Sequence, residues 1–198
     1  MAKLAERKAE KRRLILVAAE EVFLSEGYLR ANMNRIAELA GVTKQTVYRY
    51  FPSKTELFRA TLEQMGTQTH ADLFAPLDLP DTRQALTEFA IGFMRAHMSE
   101  SHLATQRLLI AEAGQAPEMV SVFFAVGPGG TQDRLKRFFV ERLGVADPDM
   151  PLRLWFAMLL SPRNDALLHR GRLDETGIVA LAEASVEMLC AGIGALPK

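Results

Sequence analysis

Gly41 stands between two short amphipathic segments, and few chain geometries accommodate that spacing. Before it, Met33, Ile36, Ala37 and Ala40 fall at i, i+3, i+4 and i+7, the single apolar stripe of a helix. After it, Val47 and Phe51 lie four apart and give a second, narrower stripe. Asn32 and Thr43 occupy the positions where a side-chain oxygen caps the free N–H groups of a helix start. Glycine supplies the positive φ of a tight turn, and Val42 plugs the corner behind it. The second helix, Lys44–Tyr50, is too short to persist alone. It must be held by packing through Val47 and Phe51, which leaves Lys44, Gln45, Thr46, Tyr48 and Arg49 facing outward. Two helices about a glycine turn, the second polar on its free side, form a helix-turn-helix.

The flanks read as support for this unit. Upstream, Lys3, Arg7, Lys8, Lys11, Arg12 and Arg13 are interrupted only by Glu6 and Glu10. This is either a solvated helix start with i,i+4 charge pairs or an arm that meets phosphates. The helix continues from Leu4 to about Ser25 with Ile15, Ala18, Ala19, Val22 and Phe23 on one face, and Gly27 ends it. Downstream, Ser53 and Glu56 have the spacing of a capping box. They open a fourth helix that buries Leu57, Phe58 and Leu62 and runs to about Phe74, before a loop marked by Pro76 and Pro80.

The remainder is helical throughout, over about 81–98, 101–114, 117–126, 130–143, 149–169 and 174–194. Asp81 or Thr82 caps the first of these. Gly127-Pro128-Gly129-Gly130 is a break or a kink within 117–143, and Pro162 is expected to kink 149–169. No alternation of strand period appears, so the fold class is all-α. The expected division is a helix-turn-helix DNA-binding domain over residues 1–58 and a larger helical domain over 59–198.

The chain carries no formal net charge, which on average argues against a nucleic-acid partner. The average conceals an asymmetry. Residues 1–60 hold 12 Lys+Arg against 7 Asp+Glu, and residues 61–198 hold 12 against 17. A basic front precedes an acidic body. Cys190 is the one cysteine, which excludes an intrachain disulfide and fits a reducing cytoplasm. The apolar runs Leu14–Ala19 and Leu154–Leu160 are too short for a signal peptide or a membrane span. His70, His97, His102 and His169 fall in no metal-ligand spacing. The GPGG run lacks the lysine and strand of a phosphate loop. Neither a metal, a cofactor nor an enzymatic activity is expected.

The run IAELAGVTKQTVYRYFPSKTELF, Ile36 to Phe58, resembles the TetR family of bacterial transcriptional regulators. Ala37, Ala40-Gly41-Val42, Tyr48, Tyr50-Phe51 and Ser53-Lys54 carry the resemblance, which covers about residues 10–60. The body is similar in length and helicity, with a looser likeness to the AefR-like subgroup. The resemblance implies an all-helical homodimer whose N-terminal helices bind a palindromic double-stranded operator. It also implies a body that encloses a small molecule and lets the operator go, which is the action of a repressor. The competing reading is a helical small-molecule or partner-binding protein with a vestigial DNA-binding head.

On this basis the DNA-contacting residues are Asn32, Thr43, Lys44, Gln45, Thr46, Tyr48, Arg49, Tyr50 and Lys54. Thr43 and Lys44 lie at a helix start, where free N–H groups and the dipole favour an acceptor. The Gln45 amide can pair bidentately with adenine in the major groove; the family often has a smaller residue there, and usually Thr where Asn32 stands. Thr46 reaches a base edge or a thymine methyl. Arg49 lies at the groove edge. Tyr48 and Lys54 match the family's phosphate-contacting tyrosine and lysine. Tyr50 matches a variable position and fits either core packing or DNA. Self-association through 149–169 and 174–194 is implied, with Gly177, Ala180, Ala184 and Met188 as a close-packing stripe. Phe93, Met94, His97, Gln106, Phe123, Trp155 and Met158 are the candidate effector contacts, with His102 a further polar candidate. They suit an apolar or aromatic ligand.

Overall fold

The computed structural model describes residues 2–126 and 129–194, with side chains at all of these except 2–4, 67–72 and 129–131. Among the described residues it is helical, without strands. In chain order the elements are α1 (Ala2–Glu26), α2 (Met33–Leu39), α3 (Lys44–Tyr50), α4 (Lys54–Leu73), a single 3-10 turn (Ala75–Asp78), α5 (Thr82–His97), α6 (Glu100–Glu112), α7 (Pro117–Val126), α8 (Gly129–Leu143), α9 (Asp149–Leu159), α10 (Arg163–Leu167) and α11 (Glu175–Gly194).

The helices gather into two compact units. The first holds residues 1–68 and 104–128, the second 69–103 and 129–198. The chain passes from one to the other within α4, within α6 and again between α7 and α8. Packing groups residues 59–68, most of α6 and all of α7 with residues 1–58.

The first unit is built on the stripes read from the sequence. Ile15, Ala19, Val22 and Phe23 of α1 meet Ile36 and Ala37 of α2, Val47 of α3, and Leu57 and Phe58 of α4. Leu108, Met119 and Val122 of α6 and α7 complete the cluster. Phe23, Tyr28 and Phe58 pack ring on ring, with centroids 5.1–5.9 Å apart. α1 ends at Gly27, whose φ is +88° and whose N–H bonds the Phe23 carbonyl, a single-bond left-handed cap. α2 ends in a Schellman motif. Gly41 is left-handed at φ +65°, its N–H bonds the Glu38 carbonyl, and the Val42 N–H bonds that of Ala37.

The second unit packs α11 against α5 and α9. Phe89, Phe93, Phe139 and Trp155 form its aromatic centre, with Met94 buried in the same cluster. Trp155 is fully buried and donates its Nε1–H to Ser185 Oγ at 3.1 Å, which in turn donates to the Ala182 carbonyl. The tryptophan's polar edge is thus satisfied by α11.

Several boundaries differ from the sequence expectation. Pro162 divides the helix: α9 stops at Leu159 and α10 starts at Arg163. Lacking an N–H, Pro162 cannot bond Met158, whose carbonyl instead accepts from the N–H and hydroxyl of Ser161. Asp81 is the cap of α5, its carboxylate accepting from the Gln84 N–H at 2.7 Å. The Ser53–Glu56 box forms by half: Ser53 Oγ accepts from the Glu56 N–H, while the Glu56 carboxylate lies 3.8 Å from Arg59. The loop with Pro76 and Pro80 contains the 3-10 turn. Gly127-Pro128 lies outside the described residues, and Gly129 and Gly130 open α8.

Candidate nucleic-acid interface

The reading surface is set by two caps and one buried side chain. Asn32 Oδ1 accepts from the Asn34 N–H at 2.8 Å and starts α2. Thr43 Oγ1 accepts from the Thr46 N–H at 3.2 Å and starts α3. Val47 is fully buried and Phe51 4% exposed, so α3 is pinned by the face they share. The opposite face presents Lys44, Gln45, Tyr48 and Arg49, all exposed.

Their side chains differ in readiness. Gln45 has no polar partner among the described residues, so its amide is available in full. The Lys44 ammonium leans over the Tyr48 ring at 5.8 Å, and the Arg49 guanidinium over the Tyr50 ring at 5.8 Å. Such cation–π contacts orient a charge without neutralising it. Tyr48 is 41% exposed. Thr46 is half-buried, and its hydroxyl shares a 2.9 Å hydrogen bond with that of Thr43, leaving its methyl as the freer contact.

Two residues of the set are engaged within the fold. Tyr50 packs against the core, and its hydroxyl donates to the Lys8 carbonyl at 3.3 Å. Lys54 is half-buried, and its ammonium donates to the carbonyls of Tyr28 at 2.7 Å, Leu29 at 3.0 Å and Ala31 at 3.5 Å. It also lies over the Tyr28 ring at 4.7 Å. Three donors on three carbonyls make Lys54 the tie between the start of α4 and the α1–α2 loop. Sequence reasoning could name its position but not its partners, which lie 23 to 26 residues away.

Other residues enter that the motif did not single out. The basic arm is docked: besides the Tyr50–Lys8 bond, the Arg12 guanidinium sits 5.5 Å over the Phe51 ring. Arg13 is held by Glu10 at 2.7 Å. Tyr28 is 2% exposed and shares a 3.0 Å hydrogen bond with Thr55; burial pushes its hydroxyl pKa up. Its place in a run of helix ends, with a glycine before it, was the only local signal.

The candidate effector residues divide between the two units. In the second, Phe93 stacks on His97 at 3.8 Å, Phe89 lies 5.9 Å from both Phe93 and Trp155, and His97 lies 4.5 Å from His102. His97 Nδ1 is 2.8 Å from the Phe93 carbonyl. Met94 is fully buried and Met158 half-buried. Gln106 and Phe123 belong to the first unit, where Phe123 packs on its core.

A model of the bacterial regulatory proteins of the tetR family matches residues 15–61, and one of the AefR-like transcriptional repressor C-terminal domain matches residues 84–192. The transcriptional activator FasR of Mycolicibacterium smegmatis is 47% identical over 55 residues, 28% of this chain and 25% of that protein. The nucleoid occlusion factor SlmA of Haemophilus influenzae is 29% identical over 143 residues, 68% of this chain and 60% of that protein. The chain thus spans from a quarter to three fifths of these curated relatives. Among solved structures, the flavonoid-responsive regulator FrrA superposes with a TM-score of 0.79 at 27% identity, over 93% of this chain and 97% of that one. Helix-turn-helix and body are both matched, the body over more than half of the sequence, and the chain belongs to the TetR family of bacterial regulatory proteins.

Proposed function

We propose that this protein is a cytoplasmic transcriptional regulator. It binds a palindromic double-stranded DNA operator as a homodimer and is released by a small molecule, so that it acts as a repressor. DNA reading falls to residues 1–58, ligand binding and self-association to 59–198. The observation that carries this reading is α3 itself. Its inner side is sealed by Val47 while Lys44, Gln45, Tyr48 and Arg49 are exposed. Gln45 specifies a base; Lys44, Tyr48 and Arg49 meet the backbone.

Self-association through α9 and α11 is supported by what they leave uncovered. Ala180, Ala184 and Met188 are exposed on α11, Met188 to 65%. Met150 and Leu154 are 58% and 59% exposed on α9. α11 is also long and apolar enough to cross a membrane by length and composition. Its inner face of Ile178, Ala182, Val186 and Leu189 is a core face, and a second copy accounts for the rest. The effector class favoured is a planar aromatic molecule: FrrA is flavonoid-responsive, and Phe93, His97 and Trp155 belong to one connected set of rings.

The test uses an operator selected by the protein from a randomised duplex pool. Lys44→Ala weakens binding to all sequences alike and lowers the salt slope by about one; Gln45→Ala relaxes one base position by about 1–3 kcal/mol. If the pool yields no enriched palindrome, or Gln45→Ala leaves base preference unchanged, the reading fails.

A further inference from the structure

The loop joining α1 to α2 is held by two side chains of opposite charge. Lys54 takes the carbonyls of Tyr28, Leu29 and Ala31. The carboxylate of Glu112, the last residue of α6, accepts the Leu29 N–H on Oε2 at 2.9 Å, across 83 residues of sequence. Its second oxygen occupies the space beside Gly27: a Cβ there would fall on Glu112 Oε1. Gly27 is therefore required twice, for its φ of +88° and for the room it leaves the carboxylate. The polarity is complementary, with loop acceptors on the ammonium and a loop donor on the carboxylate. Ala31, at the end of this loop, directly precedes Asn32, the cap of α2.

We propose that Glu112 is a positioning residue of the reading head. It fixes loop 27–31, and through Ala31–Asn32 the angle at which α2 and α3 are presented. The proposal rests on the DNA-binding reading above. Its functional consequence is strict reading of half-site spacing: two heads at fixed angles match one separation along the duplex, whereas loosened heads accept several. The loop does not depend on Glu112 to fold, since Tyr28 is buried between Phe23 and Phe58 and Lys54 holds the carbonyls.

The experiment compares binding to the selected operator with binding to operators lengthened or shortened by one or two base pairs between half-sites. The wild-type chain is expected to discriminate strongly. Glu112→Ala loses several-fold of that discrimination, and Glu112→Gln retains it because an amide oxygen still accepts from Leu29. Amide exchange at Leu29, measured on the full chain, accelerates in Glu112→Ala and not in Glu112→Gln. Equal weakening at every spacing, or unchanged exchange at Leu29, would overturn the proposal while leaving DNA binding intact. Absence of specific binding by the wild-type chain would remove the DNA-reading assignment and this proposal with it. If Glu112→Ala does not fold, Glu112→Asp, whose shorter side chain withdraws the carboxylate from Leu29, and the exchange measurement decide.

Discussion

Helix α3 treats its cations differently from the second unit, and also from the rest of the first, where Arg13, Arg35 and Arg59 lie beside glutamates. In the second, arginine and lysine side chains repeatedly meet carboxylates: Arg83 with Glu187, Arg95 with Glu175, Arg134 with Asp78, Lys136 with Asp149 and Arg172 with Glu100. On α3 of the first, Lys44 and Arg49 meet no carboxylate among the described residues and lean on tyrosine rings instead. A cation over a ring keeps its charge for an anionic partner; one paired with a carboxylate has largely spent it. The chain's zero net charge is the sum of a basic front and an acidic body, and on α3 two of the basic charges are left unquenched. Function is legible in which charges are left over, more than in how many there are.

The largest expected effect tests the core beneath the unquenched surface. Phe58→Ala removes a ring 2% exposed and in contact with both Phe23 and Tyr28. It should cost about 3–5 kcal/mol in denaturant unfolding followed by circular dichroism. A loss below about 1 kcal/mol would mean that the head does not depend on this cluster. Next comes Lys54→Met, which removes three hydrogen bonds from a charged donor. It should cost about 1.5–3 kcal/mol and leave the salt slope of operator binding unchanged. A slope reduced by about one would instead return Lys54 to the phosphates.

In the second unit, Asp78→Asn breaks an exposed pair with Arg134 at 3.3 Å. It should cost less than about 1 kcal/mol and leave operator affinity untouched. A large change in affinity would break the contrast between the two surfaces. The smallest effect concerns Glu20 on α1, whose carboxyl pKa is raised by burial. The folded state therefore holds this proton to higher pH than the unfolded chain does. Stability should fall as pH rises from the ordinary carboxylate range through the raised value. Glu20→Gln should flatten that part of a pH–stability profile; an unaltered profile would show that Glu20 does not contribute it.

The parts of the fold that could be read beforehand are those with local causes. Asn32, Thr43 and Ser53 cap because their oxygens reach a donor two or three residues on. Gly41 turns because the Schellman geometry needs a left-handed residue there. Pro162 marked the right place, but whether a proline kinks or ends a helix depends on what the next residues can pack against, and here α10 starts afresh. Lys54 and Tyr50 were placed at the interface by their position in the motif. Their partners, the carbonyls of 28–31 and of Lys8, are fixed by tertiary packing that no spacing encodes. Glu112 is the extreme instance, an ordinary acidic residue at a helix end until the fold brings it to Gly27. The same limit applies to the effector residues, where helical periodicity marks burial and cannot distinguish a ring that packs from one that receives.

Trp155 is the one tryptophan of the chain, sealed from water and hydrogen-bonded to Ser185. Its intrinsic fluorescence should accordingly be blue-shifted and report on the second unit alone. An aromatic compound that inserts among Phe89, Phe93 and His97 would quench or shift that emission directly. The protein thus carries its own optical readout for effector screening, one that requires neither label nor knowledge of the operator.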